Sequence, residues 1–238
     1  MSDLLQDLNK IDPLKRMVEK QTEQPEFSPM DPPDAFSPPS LEGMDADTVH
    51  PLLQMLMEEH RVAVKKLDEF DQTIQAIAKN GYDKTTHQGI SDFFRYFDEN
   101  LVKHNQKEEL GLFPLLKDRL LASGEHAQSH GDHHETGVDI MEDDHIKALQ
   151  LAAIVFNFVG ISVRLPDPKS GMMILDAGLE QAKALIELLR LHIFREDNVI
   201  FPQAQRLLSV EEMDAMLAKL EIKNQAPAQG EHHHHHTH

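Results

Sequence analysis

The sequence contains no cysteine. That absence excludes disulfides, thiolate zinc sites and cysteine-held iron–sulfur clusters, so any metal must be held by nitrogen and oxygen. Tryptophan is absent and only 2 tyrosines occur, which leaves phenylalanine and the aliphatic residues to build a core from a 40% apolar composition. Positive charge is scarce: 23 Lys and Arg stand against 41 Asp and Glu, a formal net charge of −18. A balance of that sign argues against nucleic acid or an anionic membrane as partner, because phosphates reward the opposite charge. No run reads as long enough to span a membrane, and Met1-Ser2-Asp3-Leu4 lacks the basic-then-apolar pattern of an export signal. The expected location is therefore cytoplasmic. Strand alternation is also missing, so the reading is all-α, one domain with trimmings.

Proline and glycine are unevenly spread. Residues 1–47 read as a short amphipathic segment (Leu4, Leu8, Ile11, Met17) followed by an arm in which Pro25, Pro29, Pro32, Pro33, Pro38 and Pro39 exclude regular helix. Phe27 and Phe36 could anchor this arm along a bundle surface, and a disordered tail is the alternative. Residues 224–238 form a disordered His-rich tail, either native metal-binding sequence or an appended affinity tag.

Between them, residues 48–223 show four long helical patterns and a shorter fifth. The first starts at Pro51, runs to about Lys79 and stops at Asn80-Gly81, with His60 amid Leu53, Leu56, Met57, Val64, Leu67 and Ile74. The second, from about Gln88 to Leu120, carries Phe94, Phe97, Leu101, His104 and Glu108, with Pro114 marking a kink or restart. After a polar connector, the third spans Val138 to Ser162 with Met141, His145, Ala148, Ala152 and Phe156 inward. The fourth, about Met172 to Leu208, aligns Leu185, Leu189, His192, Glu196 and Val199. Ser209-Val-Glu-Glu212 reads as a capping box opening the fifth helix. Such a set packs most simply as an up-down-up-down four-helix bundle.

The chain also repeats itself. His104 and His192 are each followed four residues later by a glutamate, Glu108 and Glu196, and then by Phe113-Pro114 and Phe201-Pro202. Upstream of each pair stands a lone histidine, His60 in Glu58-Glu59-His60 and His145 in Asp143-Asp144-His145. A single His on an apolar face is more often a hydrogen-bonded core residue than a ligand. Here four helices each bury one, two add a carboxylate a turn on, and no Lys or Arg on the facing stripes neutralises those carboxylates. Two cations would. Imidazole with carboxylate suits iron, manganese or zinc. Both glutamates can bridge the pair, His60 and His104 holding one ion, His145 and His192 the other. That leaves room for an oxo or hydroxo bridge and an exogenous ligand.

Other polar features read more plainly. His126, His130, His133 and His134 in the connector are read as a solvated loop before a metal-loading site. Glu58, Glu59, Asp143 and Asp144 are read as solvated charge before hydrogen-bond partners of the site. Tyr96 is read as packing before a gate.

The set formed by Glu-Glu-His on the first helix and His-Ile-x-x-Glu with Phe-Pro on the last resembles the hemerythrin family of HHE cation-binding proteins, over roughly residues 50–208. The resemblance implies a non-haem di-iron centre in a four-helix bundle, in proteins that carry or sense O2, handle NO, or supply and sense iron. His60, His104, Glu108, His145 and His192 match the family's ligand positions, and Glu196 the bridging carboxylate of its bacterial and iron-sensing members. O2-carrying members have a further His four residues from that on the third helix, where this chain has Met141 and Leu149. They also place the last carboxylate five residues after its His, where Asp197 stands. Four histidines instead of five argue against simple reversible O2 carriage. The ferritin-like pattern of Glu-x-x-His on two helices fits Glu142 and His145 but meets Met57 before His60. The expectation is a protein that binds O2 or NO, or stores or senses iron; the alternative is a di-iron redox enzyme acting on Fe(II), NO or peroxide. A helical interaction module with structural histidines is the third reading.

Overall fold

The computed structural model describes residues 49–125, 127–128 and 134–225. The expected N-terminal segment and arm, residues 226–238 of the expected tail, and His126, His130 and His133 lie outside the described residues; Asn224 and Gln225, expected in the tail, are helical, and of His134 only the backbone is described.

The described chain is an all-α bundle of four rods. The first is α1 (Pro51–Asn80). His50 caps it, its Nδ1 accepting from the Leu52 N–H, and Gly81 ends it at φ 85, donating to the Ile77 carbonyl. The second rod continues through α2 (Lys84–Tyr96), α3 (Val102–Lys107) and α4 (Phe113–Ser123). It starts earlier than the apolar pattern suggests because Asp83 and Thr86 form a capping box. The third is α5 (Gly137–Ser162), opened by a Thr136–Asp139 box. The fourth joins α6 (Pro168–Arg195), capped by Asp167, to α7 (Phe201–Leu207). α8 (Val210–Gln225) follows, with Ser209 and Glu212 exchanging the anticipated reciprocal bonds. Among the described residues, β structure is limited to the antiparallel pair β1 (Ala127–Gln128) and β2 (His134–Glu135) in the connector.

Three π-turns interrupt the rods, at Phe97–Leu101, Glu108–Leu112 and Glu196–Ile200. The last two end where Phe-Pro begins. Pro114 and Pro202 have no N–H to donate, and in a regular helix their rings would press on the carbonyl four residues back. The chain widens by one residue there, so that Phe113 and Phe201 donate to the carbonyls of Glu108 and Glu196 five residues back. The kink expected at Pro114 thus takes the form of a π-turn that starts on the buried glutamate.

α1 packs against α2 and α6, α5 lies along α6, and α4 meets α5 and α7. α8 lies on α1, where His50 Nε2 is 3.2 Å from Asp214 Oδ1. The α5–α6 contact is close: a Cβ on Gly178 would stand 3.0 Å from that of Phe158, and one on Gly171 2.9 Å from the Ser162 carbonyl oxygen. Phe70 and Phe93 stack at 3.8 Å between α1 and α2, and burial of each such side chain contributes about 1.5–3 kcal/mol.

Two apolar positions assigned inward point out instead. Val64 and Phe156 are exposed, Met57 and Phe94 are half-buried, and Ala63, Val155 and Phe93 are buried in their neighbourhood. The reason is that His60 and His145 sit at one side of their buried faces. The residue three after each (Ala63, Ala148) is buried and the residue four after (Val64, Leu149) is outside. α5 is also long and apolar enough to cross a membrane by length and composition, contrary to the sequence reading. One of its faces, including Met141, His145, Ala148 and Val155, is packed in the bundle.

Candidate metal centre

His60 comes from α1, His104 from α3, His145 from α5 and His192 from α6, while Glu108 and Glu196 open the two Phe-Pro π-turns. All six are buried, and both glutamates are 0% exposed. They converge as two overlapping groups, His60, His104, Glu108 and Glu196, and Glu108, His145, His192 and Glu196, with the donor atoms of each group within 4.8 Å of one another. Both glutamates belong to both groups.

Within each group the donors are spaced as neighbours around a single ion. His60 Nε2 lies 2.8 Å from His104 Nε2, and His145 Nε2 3.1 Å from His192 Nε2. Glu196 Oε2 is 3.1 Å from His60 Nε2 and 3.3 Å from His192 Nε2. Glu108 spans the other diagonal, Oε1 at 3.3 Å from His104 Nε2 and Oε2 at 3.6 Å from His145 Nε2. Two donors bound at right angles about 2.1 Å from one cation stand about 3 Å apart, so this set fits a metal. The carboxylates give the second test: none of their four oxygens has a hydrogen bond of acceptable geometry. A buried carboxylate without donors is costly unless a cation faces it.

The outer ring nitrogens are held by a second layer of carboxylates. His104 Nδ1 donates to Glu59 at 2.8 Å, His60 Nδ1 to Asp197 at 2.7 Å, and His145 Nδ1 to Glu109 at 2.7 Å. Asp144 stands 3.9 Å from His192 Nδ1, beyond hydrogen-bond reach, and accepts from Arg195 at 3.1 Å. Lys107 pairs with Glu59 as Arg195 does with Asp144. Phe201 stacks on His60 and Phe113 on His145. The second half of the chain therefore repeats the first around a local two-fold, in the outer shell as well as at the six inner positions.

This corrects the reading of the flanking acids. Glu59 accepts from His104 and Asp144 is buried against Arg195, whereas Glu58 pairs with Arg61 in solvent and Asp143 is exposed. Glu109, Asp197, Lys107 and Arg195 were not singled out for these roles, yet the repeat extends to them as Lys-Glu-Glu and Arg-Glu-Asp. Asp197, weighed against Glu196 as the inner carboxylate, serves His60 from outside. Of the positions for a fifth histidine, Leu149 is on the outer face and Met141 is buried.

Burial and the surrounding carboxylates act on these rings in opposite directions. Burial pushes the His60 imidazolium down, but Asp197 and Glu196 outweigh it and hold it up at about 9. Burial acts likewise on His104, and Glu108 and Glu59 bring it up to about 10. Burial pushes Glu196 up, and His192 and His60 hold it down at about 2. Bound cations would take the place of protons on the rings. Beside His104 a cavity of about 280 Å³ is lined by Glu59, Tyr96, Asn100, Lys103 and Lys107. Burial, and after it the Glu59 charge, pushes the Tyr96 hydroxyl up to about 12, so it stays a donor.

Comparison with known proteins agrees with this geometry. The family model described as the hemerythrin HHE cation-binding domain matches residues 52–204. A curated relative, the iron-sulfur cluster repair protein YtfE of Cronobacter sakazakii (strain ATCC BAA-894), is 27% identical over 117 residues. The match spans 49% of this chain and 47% of that relative. No solved structure matches the chain. With the family model covering the bundle and all six inward residues, the chain belongs to the hemerythrin HHE cation-binding domain family.

Proposed function

We propose that this protein is a cytoplasmic non-haem di-iron protein of the iron- or NO-handling kind, with His60, His104, Glu108, His145, His192 and Glu196 as its ligands. The observation that carries the reading is the membership of Glu108 and Glu196 in both donor groups, with all four oxygens lacking hydrogen bonds. Glu108 and Glu196 would offer those oxygens to two cations, whose charge would balance theirs. Oxygen and nitrogen donors without sulfur suit iron, and manganese or zinc would accept the same set. The iron pair, when bound, supplies binding and redox chemistry toward small ligands such as O2 or NO.

The chain's own residues prepare that site. Outer carboxylates holding the Nδ1–H of His60, His104 and His145 fix their tautomers, so that those three Nε2 atoms offer their lone pairs inward. Phe113 and Phe201 shield two of the rings. Met141 fills the buried position one turn before His145 and Leu149 is on the outer face, so the third helix offers one histidine ligand, which favours iron storage, iron sensing or NO handling over reversible O2 carriage. The name of the curated relative, an iron-sulfur cluster repair protein, supports the same branch.

The cavity beside His104 favours a second reading, a di-iron redox enzyme oxidising Fe(II) or reducing NO or peroxide, since it brings solvent and a donor hydroxyl near one half of the site. Metal analysis of protein freed of its His-rich tail tests the main reading. About two irons per chain are expected, falling below one in Glu108→Ala. A tail-free preparation from iron-replete cells that contains no metal overturns it. A stable NO adduct without turnover then marks a binding protein, and repeated turnover with NO or peroxide marks the enzyme.

A further inference from the structure

We propose that the outer face of α5 is a dimer interface, taken up by α5 of a second copy running antiparallel to it. The proposal is independent of what the metal centre holds.

Residues 148–163 contain no charged side chain, in a protein with 27% charged residues. On the outer side of residues 146–163, Ile146, Leu149, Ala153, Phe156, half-exposed Gly160 and Val163 follow one another at alternating steps of three and four, the spacing of a two-helix seam, with the Phe156 ring edge-on to Phe94 of the same chain. Ile146 (54%), Leu149 (48%), Phe156 (62%) and Val163 (55%) are all substantially exposed. Ile154 and Ile161 widen the apolar band.

The face is complementary to itself. Antiparallel pairing sets Leu149 against Gly160 of the other copy, Phe156 against Ala153, and Ile146 against Val163, a large residue opposite a smaller one in each layer. The Arg164 guanidinium lies over Gly160, donating to its carbonyl at 3.3 Å and standing 3.5 Å from where a Cβ would be; in the dimer it turns to Asp143 of the other copy and leaves Gly160 to receive Leu149. Parallel pairing would instead place Gly160 on Gly160 and Phe156 on Phe156. The borders match in the same register: Gln150 faces Asn157, and exposed Asp143 faces exposed Arg164. Within one chain those two lie about 30 Å apart along the helix and cannot pair. An uncharged seam also lets two copies, each with net charge −18, meet without repulsion at the contact. A two-fold axis repeats every contact, as in the commonest oligomers.

Light scattering and sedimentation of the full chain, with a chelator present to silence the His-rich tail, test this. A mass of twice 27.1 kDa is expected at micromolar concentration. Phe156→Glu, at an exposed site, should give a monomer with unchanged helix content. Asp143→Arg and Arg164→Asp should each weaken the dimer about tenfold, since two ion pairs per dimer become repulsive, and the double variant should recover to within about threefold of the parent. The last result requires Asp143 to face Arg164 of another molecule. A monomer at all concentrations, a dimer indifferent to Phe156→Glu, or a double variant no better than the singles overturns the proposal. So does a monomer that binds phosphatidylcholine vesicles through this face.

Discussion

The ring of Phe201 lies flat against that of His60, centroids 5.4 Å apart and planes 7° from parallel. Phe201 is fully buried, and its place is set by the π-turn that starts at Glu196. One residue thus joins the core, the backbone distortion and the orientation of an imidazole. Phe201→Ala should destabilise the metal-free protein by about 3–5 kcal/mol through lost contacts and a cavity. It should also weaken the binding of one metal equivalent more than the other, since Phe113 still backs His145. Denaturant unfolding reads the first effect and stepwise iron titration the second. Equal weakening of both equivalents would show that the stacking does not position His60.

The outer carboxylates give a second prediction. Asp197→Asn and Glu109→Gln keep the shape of the side chain while weakening the hold on His60 and His145. Each should lower metal affinity by about 10–100-fold with the fold intact. Competition with a chelator of known affinity measures this. The exposed Glu58→Gln serves as control, because its partner is Arg61 in solvent, and it should leave affinity unchanged.

These partners explain how far the sequence could be read. The six inner residues were legible because a one-turn spacing puts His and Glu on one face, and because the motif occurs twice. The outer partners were missed because each acid was weighed against the histidine beside it. Successive helical residues point about 100° apart, so Glu59 cannot serve His60. It reaches across to His104 on the next rod, and Asp197 reaches from the fourth rod to His60. The outward turn of Val64 and Phe156 was hidden for a related reason: a stripe drawn through His60 or His145 is centred on the edge of the buried face. Sequence periodicity gives the width of that face but not which border lies against a neighbour.

A third prediction concerns pH. His60 at about 9 and His104 at about 10 stand above the ordinary 6.5, so their contribution to the metal-free fold is complete below that ordinary value. It is lost as pH rises through 9 to 10. Glu196, held at about 2 against an ordinary 4.5, contributes above 4.5 and loses that contribution as pH falls toward 2. The metal-free protein should therefore be most stable between about pH 4.5 and 6.5 and weaken steadily on the alkaline side. Metal binding has the opposite slope there, because each ion displaces protons from the rings. The gap in Tm between loaded and metal-free protein should widen from pH 6 to 9. A gap that narrows over that range contradicts the raised titration of His60 and His104 in the metal-free protein.

The fourth prediction lies away from the chemistry, where α5 and α6 touch. At Gly178 an added Cβ would stand 3.0 Å from the Phe158 Cβ, too close for two carbons attached to rigid helices. Gly178→Ala should push α6 away from α5 and cost about 1–3 kcal/mol by overpacking, although alanine favours helix by about 1 kcal/mol at an unhindered site. Gly111 is the control, since nothing lies within 4 Å of its added Cβ. Because α5 and α6 carry His145 and His192, the separation should also loosen the second ion more than the first. Urea unfolding of both variants together with iron titration of Gly178→Ala tests the pairing of the two effects. A Gly178→Ala protein as stable as the parent would mean that the two helices separate without cost and that their close contact does not set the spacing of His145 and His192.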